Sequence, residues 1–164
     1  MKWLMLWLAL PAFAQTAGDS FRPLTFLIGD WIGEGGGGPG EGSGSCSFHY
    51  DVQRRVVVRK NHAEYPAKGD RAAYSHDDLM IVYEESGVLR AIYFDSENHV
   101  IRYAVEGSGD EVRFLSEPAA NQPRYRLTYR KTSSEATTLQ FDIAPPGKDF
   151  QSYIVAKLRR AGSR

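Results

Sequence analysis

The side chains able to do chemistry are few. Histidine occurs at His49, His62, His76 and His99, and Cys46 is the only cysteine. His62-x-Glu64 puts two ligand-type groups on one face of a strand, because side chains two apart share a face. His76-Asp77-Asp78 follows one strand later. Neither has the spacing of a defined metal site. A three-ligand site drawn from neighbouring strands is the sharper reading of these groups, and solvated loop or rim residues are the expectation. Cys46 and His49 are three apart and point to opposite faces of a strand, so no nucleophile–base pair is formed there. There is no Gly-x-Ser-x-Gly elbow, and no helical segment is available to carry His-Glu-x-x-His. The glycine run at 33–45 lacks the Lys-Ser or Lys-Thr of a phosphate loop. It reads as a flexible hairpin loop at a rim, since glycine populates almost any backbone state. The basic run at 54–60 alternates with valines and reads as one solvated face of a strand. No catalytic constellation emerges from these residues.

What positions these side chains is a set of strands. Segment 124–131 places Tyr125, Leu127 and Tyr129 on one face and Arg124, Arg126 and Arg130 on the other. Segment 138–144 sets Leu139, Phe141 and Ile143 opposite Gln140 and Asp142, and 99–105 aligns Ile101, Tyr103 and Val105. Such alternation marks half-buried strands. Further strands are expected at 31–35, 46–52, 54–65, 79–83, 88–94, 111–116 and 151–159. Residues 85–87, 95–98, 107–110 and 132–135 read as hairpin turns. Before the first strand, a short helix or single turn is expected, with Asp19 or Ser20 as its cap and Pro23 in its first turn. About ten strands at this spacing predict an all-β fold, and closure into a single antiparallel up-and-down barrel removes the exposed edges.

Composition narrows the function classes. Twenty basic residues balance twenty acidic ones, for a net charge of +0, so there is no electrostatic footprint for nucleic acid. A single cysteine forbids an intrachain disulfide. The first residues carry Lys2, an apolar run from 3 to 10, and then Ala12-Phe13-Ala14. This pattern predicts a secretory signal at 1–14, a barrel domain at 15–164, and a periplasmic or secreted location. The apolar run is too short for a bilayer core of roughly 30 Å, and no other run is apolar enough to span one.

Gly29-Asp30-Trp31 resembles the Gly-x-Trp that opens the lipocalin-like, or calycin, barrels. The longer string Gly29-Asp30-Trp31-Ile32-Gly33-Glu34-Gly35 is similar to the Gly-x-Trp-x-Gly-Glu-Gly of nitrobindin-like proteins, which are ten-stranded barrels, some of them haem-binding. The resemblance implies that Trp31 plugs the closed end of the barrel. It also implies that a basic side chain from the last strand stacks on the indole; Lys157 and Arg159 are the candidates, with Arg159 preferred because guanidinium stacks better.

The same resemblance raises haem. Nitrobindin-like proteins end in a strand reading roughly His-Leu-x-Ala-x-Leu, whose histidine ligates iron. Here the strand reads Tyr153-Ile154-Val155-Ala156-Lys157-Leu158, so Tyr153 stands at the ligand position. A phenol must ionise to ligate ferric haem, and its ordinary pKa is near 10. The expectation is therefore no cofactor, with haem and nitric oxide or peroxynitrite chemistry as the alternative. The leading function is non-covalent binding of a small apolar or amphipathic molecule, lined by Phe94, Tyr103, Tyr125, Tyr129, Phe141 and Tyr153. A barrel filled by its own side chains is the third reading.

Overall fold

The computed structural model describes residues 20–34 and 42–162. The expected signal at 1–14 and most of the glycine run lie outside the described residues. A short 3₁₀ helix, η1 (Arg22–Leu27), leads into ten strands: β1 (Gly29–Glu34), β2 (Ser43–Asp51), β3 (Val56–Tyr65), β4 (Tyr74–Glu85), β5 (Val88–Asp95), β6 (Val100–Ser108), β7 (Glu111–Ser116), β8 (Arg124–Lys131), β9 (Ala136–Ala144) and β10 (Gln151–Arg160). Every strand pairs antiparallel with its sequence neighbours, and β1 pairs with β10 to close the barrel. No helix among the described residues is long and apolar enough to cross a membrane.

The expected strands at 111–116 and 124–131 coincide with β7 and β8. The largest difference is β4, which begins at Tyr74 rather than near 79 and so takes His76, Asp77 and Asp78 into the sheet. These polar residues carry little strand propensity of their own; full pairing of Ala63 with His76 and Asn61 with Asp78 holds them in the ladder. The cap is also different. Pro23 sits in the first turn of η1 as expected, but Phe21 occupies the cap position without a side-chain bond, and the Ser20 hydroxyl is spent on Glu84 instead. Asp19 lies outside the described residues.

Alternation sorts the inward faces into two layers. Toward the η1 end they are apolar and fully packed: Phe48, Val57, Met80, Val82, Val112 and Phe114 are all inaccessible to solvent. Leu24 and Leu27 of η1 close that end against Trp31. Pro23 rests where a side chain on Gly107 of β6 would otherwise be, since a Cβ there would stand 2.3 Å from the proline Cβ. Farther along, the same faces change character. On β3 the inward series runs Val57, Arg59, Asn61; on β4 it runs Val82, Met80, Asp78, His76. Packing stops at this boundary and a cavity begins.

Candidate functional site

Trp31 forms the base of the closed end. It is 1% exposed, and its indole N–H donates to the Leu27 carbonyl at 2.7 Å. The guanidinium over its ring, 4.5 Å from the centroid, belongs to Arg160 and not to Arg159. Register explains the correction. Arg160 is the direct partner of Trp31 and Arg159 that of Ile32, and directly paired residues share a face. Lys157 pairs with Glu34, on the Arg159 face of the strand. Arg160 also donates to the carbonyls of Ile28 at 2.9 Å and Phe26 at 3.1 Å. Gly29 makes room for it, because a Cβ at that position would lie 2.6 Å from Arg160 Nη1.

The cavity occupies the other half of the barrel, with a volume of about 420 Å³. Ile101, Tyr103, Tyr125, Leu139, Phe141 and Ile143 form its apolar wall. Tyr125 and Phe141 stack nearly parallel, with centroids 5.9 Å apart. Of the six residues expected to line it, Tyr103, Tyr125, Phe141 and Tyr153 do so, and two do not. Phe94 is 40% exposed and points outward, since its neighbours Tyr93 and Asp95 are the ones facing in. Tyr129 is fully buried below the cavity, edge-on to Phe48 and Phe114. Tyr153 sits at the mouth, 56% exposed. The register shifts between Ser152 and Ile154, so Tyr153 is a bulged residue, and its ring meets Phe141 edge-on.

The polar floor consists of residues that alternation alone does not single out. Arg59 is 3% exposed and forms an ion pair with Asp78, whose side chain is 4% exposed. Asn61 donates to the other Asp78 oxygen at 3.0 Å. Burial disfavours the Arg59 charge, but Asp78 beside it more than compensates and keeps it ionised. His76 lies 3.6 Å from Asp78, 3.2 Å from Glu97 and 3.1 Å from the Tyr93 hydroxyl. Its bond to Asp78, opposed by burial and aided by Glu97, raises its pKa to about 9, so it is charged at neutral pH. Asp95 lies directly opposite Asp78 on the neighbouring strand. Burial works against its ionisation, yet the His99 amide, the His99 ring at 2.8 Å and the Glu97 amide hold its pKa down.

The remaining chemistry-bearing groups have ordinary partners. His62 bonds Asp77 at 2.7 Å and Glu64 at 3.3 Å. His49 is on the outer face, 2.9 Å from Asp30. Cys46 faces inward, and burial raises its thiol pKa to about 11 against the opposing influence of Arg59, which leaves it a poor nucleophile. Among the described residues no cluster of histidine, cysteine and carboxylate groups is arranged to hold a metal ion. Tyr153, the residue at the haem-ligand position of the resemblance, sits on an exposed bulge with its ring edge-on to Phe141. Both ring nitrogens of His62 and of His76 are already engaged.

No family model matches the chain, and no curated protein matches it. Among solved structures it is similar to the crystal structure of Rv2717c from M. tuberculosis. The TM-score is 0.60 at 14% identity, over 87% of this chain and 98% of that one. At that identity the likeness shows the fold alone.

Proposed function

We propose that this protein is a secreted or periplasmic barrel that binds a small apolar or amphipathic molecule non-covalently. The observation that carries the reading is the half-filled interior: an apolar-walled cavity of about 420 Å³ above a packed core. That volume lies within the roughly 300–1,000 Å³ of small-molecule sites, whose lining is mostly apolar with a few placed polar groups. The lipocalin-like resemblance around Trp31 supports it further. Secretion is supported by Lys2, the apolar run and Ala12-Phe13-Ala14; mass spectrometry of exported protein is expected to give a start near Gln15, and an intact Met1 form as the functional species would refute it.

Binding is tested by titrating the neutral dye N-phenyl-1-naphthylamine, whose emission rises in apolar surroundings, together with native mass spectrometry of freshly purified protein. Saturable, one-to-one enhancement is expected. Absence of both dye binding and any retained small molecule would leave a barrel without a ligand.

A further inference from the structure

The cavity floor combines spare hydrogen-bond donors with a balanced charge. We propose that it selects an uncharged molecule carrying a hydrogen-bond acceptor, of the ketone, ester or amide class, over an ionised acid or a plain hydrocarbon. This rests on the reading that the cavity binds a small molecule.

The charge balance comes first. The basic side chains lining the cavity are Arg59, His62, His76 and His99, and the acidic ones are Asp78, Asp95 and Glu97. Arg59 is paired with Asp78, His76 with Asp78 and Glu97, and His99 with Asp95. His62, nearer the mouth, is tied to Asp77 and Glu64. Each basic group in the lining is therefore already matched by a carboxylate. A ligand carboxylate at this depth would lose its water and meet Asp78 and Asp95 with no surplus cation to receive it. An unpaired buried charge is strongly disfavoured.

The donor surplus comes second. Asp78 already accepts from Arg59 and Asn61, and Asp95 from His99 and two backbone amides. The acceptors of the floor are thus occupied. Not so its donors: Arg59 Nε has no hydrogen-bond partner among the described residues. Tyr93 adds a second. With His76 charged, both of its ring nitrogens donate, so the Tyr93 oxygen accepts and its O–H is left to point at a guest. Burial raises the Tyr93 pKa, which keeps that proton in place. A carbonyl oxygen accepts hydrogen bonds without bringing charge, and it leaves the ion pairs of the floor intact.

Three naphthalenes of similar size test this by displacing N-phenyl-1-naphthylamine at pH 7.5: methyl 2-naphthoate, 2-naphthoate and 2-ethylnaphthalene. The ester is expected to bind about five to ten times more tightly than the hydrocarbon, the gain of one net hydrogen bond, and more tightly still than the carboxylate. Asp78→Asn removes the carboxylate that balances Arg59, leaving that guanidinium in excess, and should strengthen 2-naphthoate by about tenfold relative to the ester. A wild-type preference for the carboxylate, or equal affinity for ester and hydrocarbon while the dye binds, would overturn the selectivity and leave the binding function standing. Failure of the dye to bind would overturn both. If Asp78→Asn does not fold, the wild-type order decides alone.

Discussion

Trp31 and Arg160 face each other across the β1–β10 seam, and one guanidinium ties together three parts of the chain. It covers the indole at 4.5 Å, donates to Phe26 within η1 and to Ile28 just after it, and sits at the end of the last strand. The closing strand pair and the plug are therefore one construction. Trp31→Ala should destabilise by about 3–5 kcal/mol, the usual loss for a core tryptophan. Arg160→Met should lose about 1.5–3 kcal/mol through its charged hydrogen bonds. Arg160→Lys should restore only part of that, because an ammonium does not reach two carbonyls as a planar fork does. Chemical denaturation measures all three; an Arg160→Met midpoint equal to wild type would show that the stack is incidental.

Gly29 has a backbone requirement as well as a space requirement. Its φ is +125°, a region glycine occupies readily and other residues rarely. Gly29→Ala should cost about 1–3 kcal/mol of backbone strain and push Arg160 off the Trp31 ring. In a chain lacking residues 1–14, Trp31 is the only tryptophan, so its emission reports the change. A blue-shifted wild-type maximum that moves to the red in Gly29→Ala is expected, and an unmoved one would separate Gly29 from the plug.

How much of this was readable in advance depends on the kind of residue. The strands whose apolar partners alternate cleanly, such as Tyr125-Leu127 on β8 and Leu139-Phe141-Ile143 on β9, are legible because period two is a local property. Tyr74–Asp78 is not, because polar residues join a strand only when a neighbouring strand holds them. Arg159 and Arg160 are equally basic, and only the β1–β10 register distinguishes them. The bulge at Tyr153 and the inward turn of Tyr93 in place of Phe94 are likewise matters of register. The floor was missed for a further reason: Arg59 sits in a run that reads as a solvated basic face, and nothing local shows that Asp78, nineteen positions away, will neutralise it.

The Arg59–Asp78 pair should behave as a coupled unit. Removing one partner of a buried ion pair leaves the other uncompensated, at about 3–5 kcal/mol. Arg59→Met should show that loss. Adding Asp78→Leu to Arg59→Met should recover a good part of it, because the stranded carboxylate is then gone. Additive losses in the double variant would mean that the two residues are energetically independent.

Stability should fall on the alkaline side because of His76. Its folded pKa of about 9 exceeds the ordinary 6.5, so its contribution is fully present below pH 6.5 and is lost as pH rises through about 9. The groups facing it are Asp78, Glu97 and Tyr93, the last kept neutral by burial. His76→Gln should flatten the decline of unfolding free energy between those two pH values. A wild-type curve with no alkaline decline, or one that His76→Gln leaves unchanged, would place the titration elsewhere.

Ala156 offers the most direct control over the cavity. It faces inward on β10 between Ile154 and Leu158, opposite Leu139, and it is the smallest apolar group in that part of the wall. Ala156→Phe would project a ring into the cavity while leaving the ladder, the Arg59–Asp78 pair and the Trp31 plug in place. Overpacking is expected to be mild because the added volume enters open space; filling a packed core would instead cost about 1–3 kcal/mol. Dye affinity should therefore drop by about tenfold or more, corresponding to at least 1.4 kcal/mol, with an unchanged far-ultraviolet circular dichroism spectrum. Retained affinity in a folded Ala156→Phe protein would mean that the dye binds outside the barrel, most simply on the exposed apolar residues Val100 and Val155 of the outer surface. The cavity would then lose its claim to be the site.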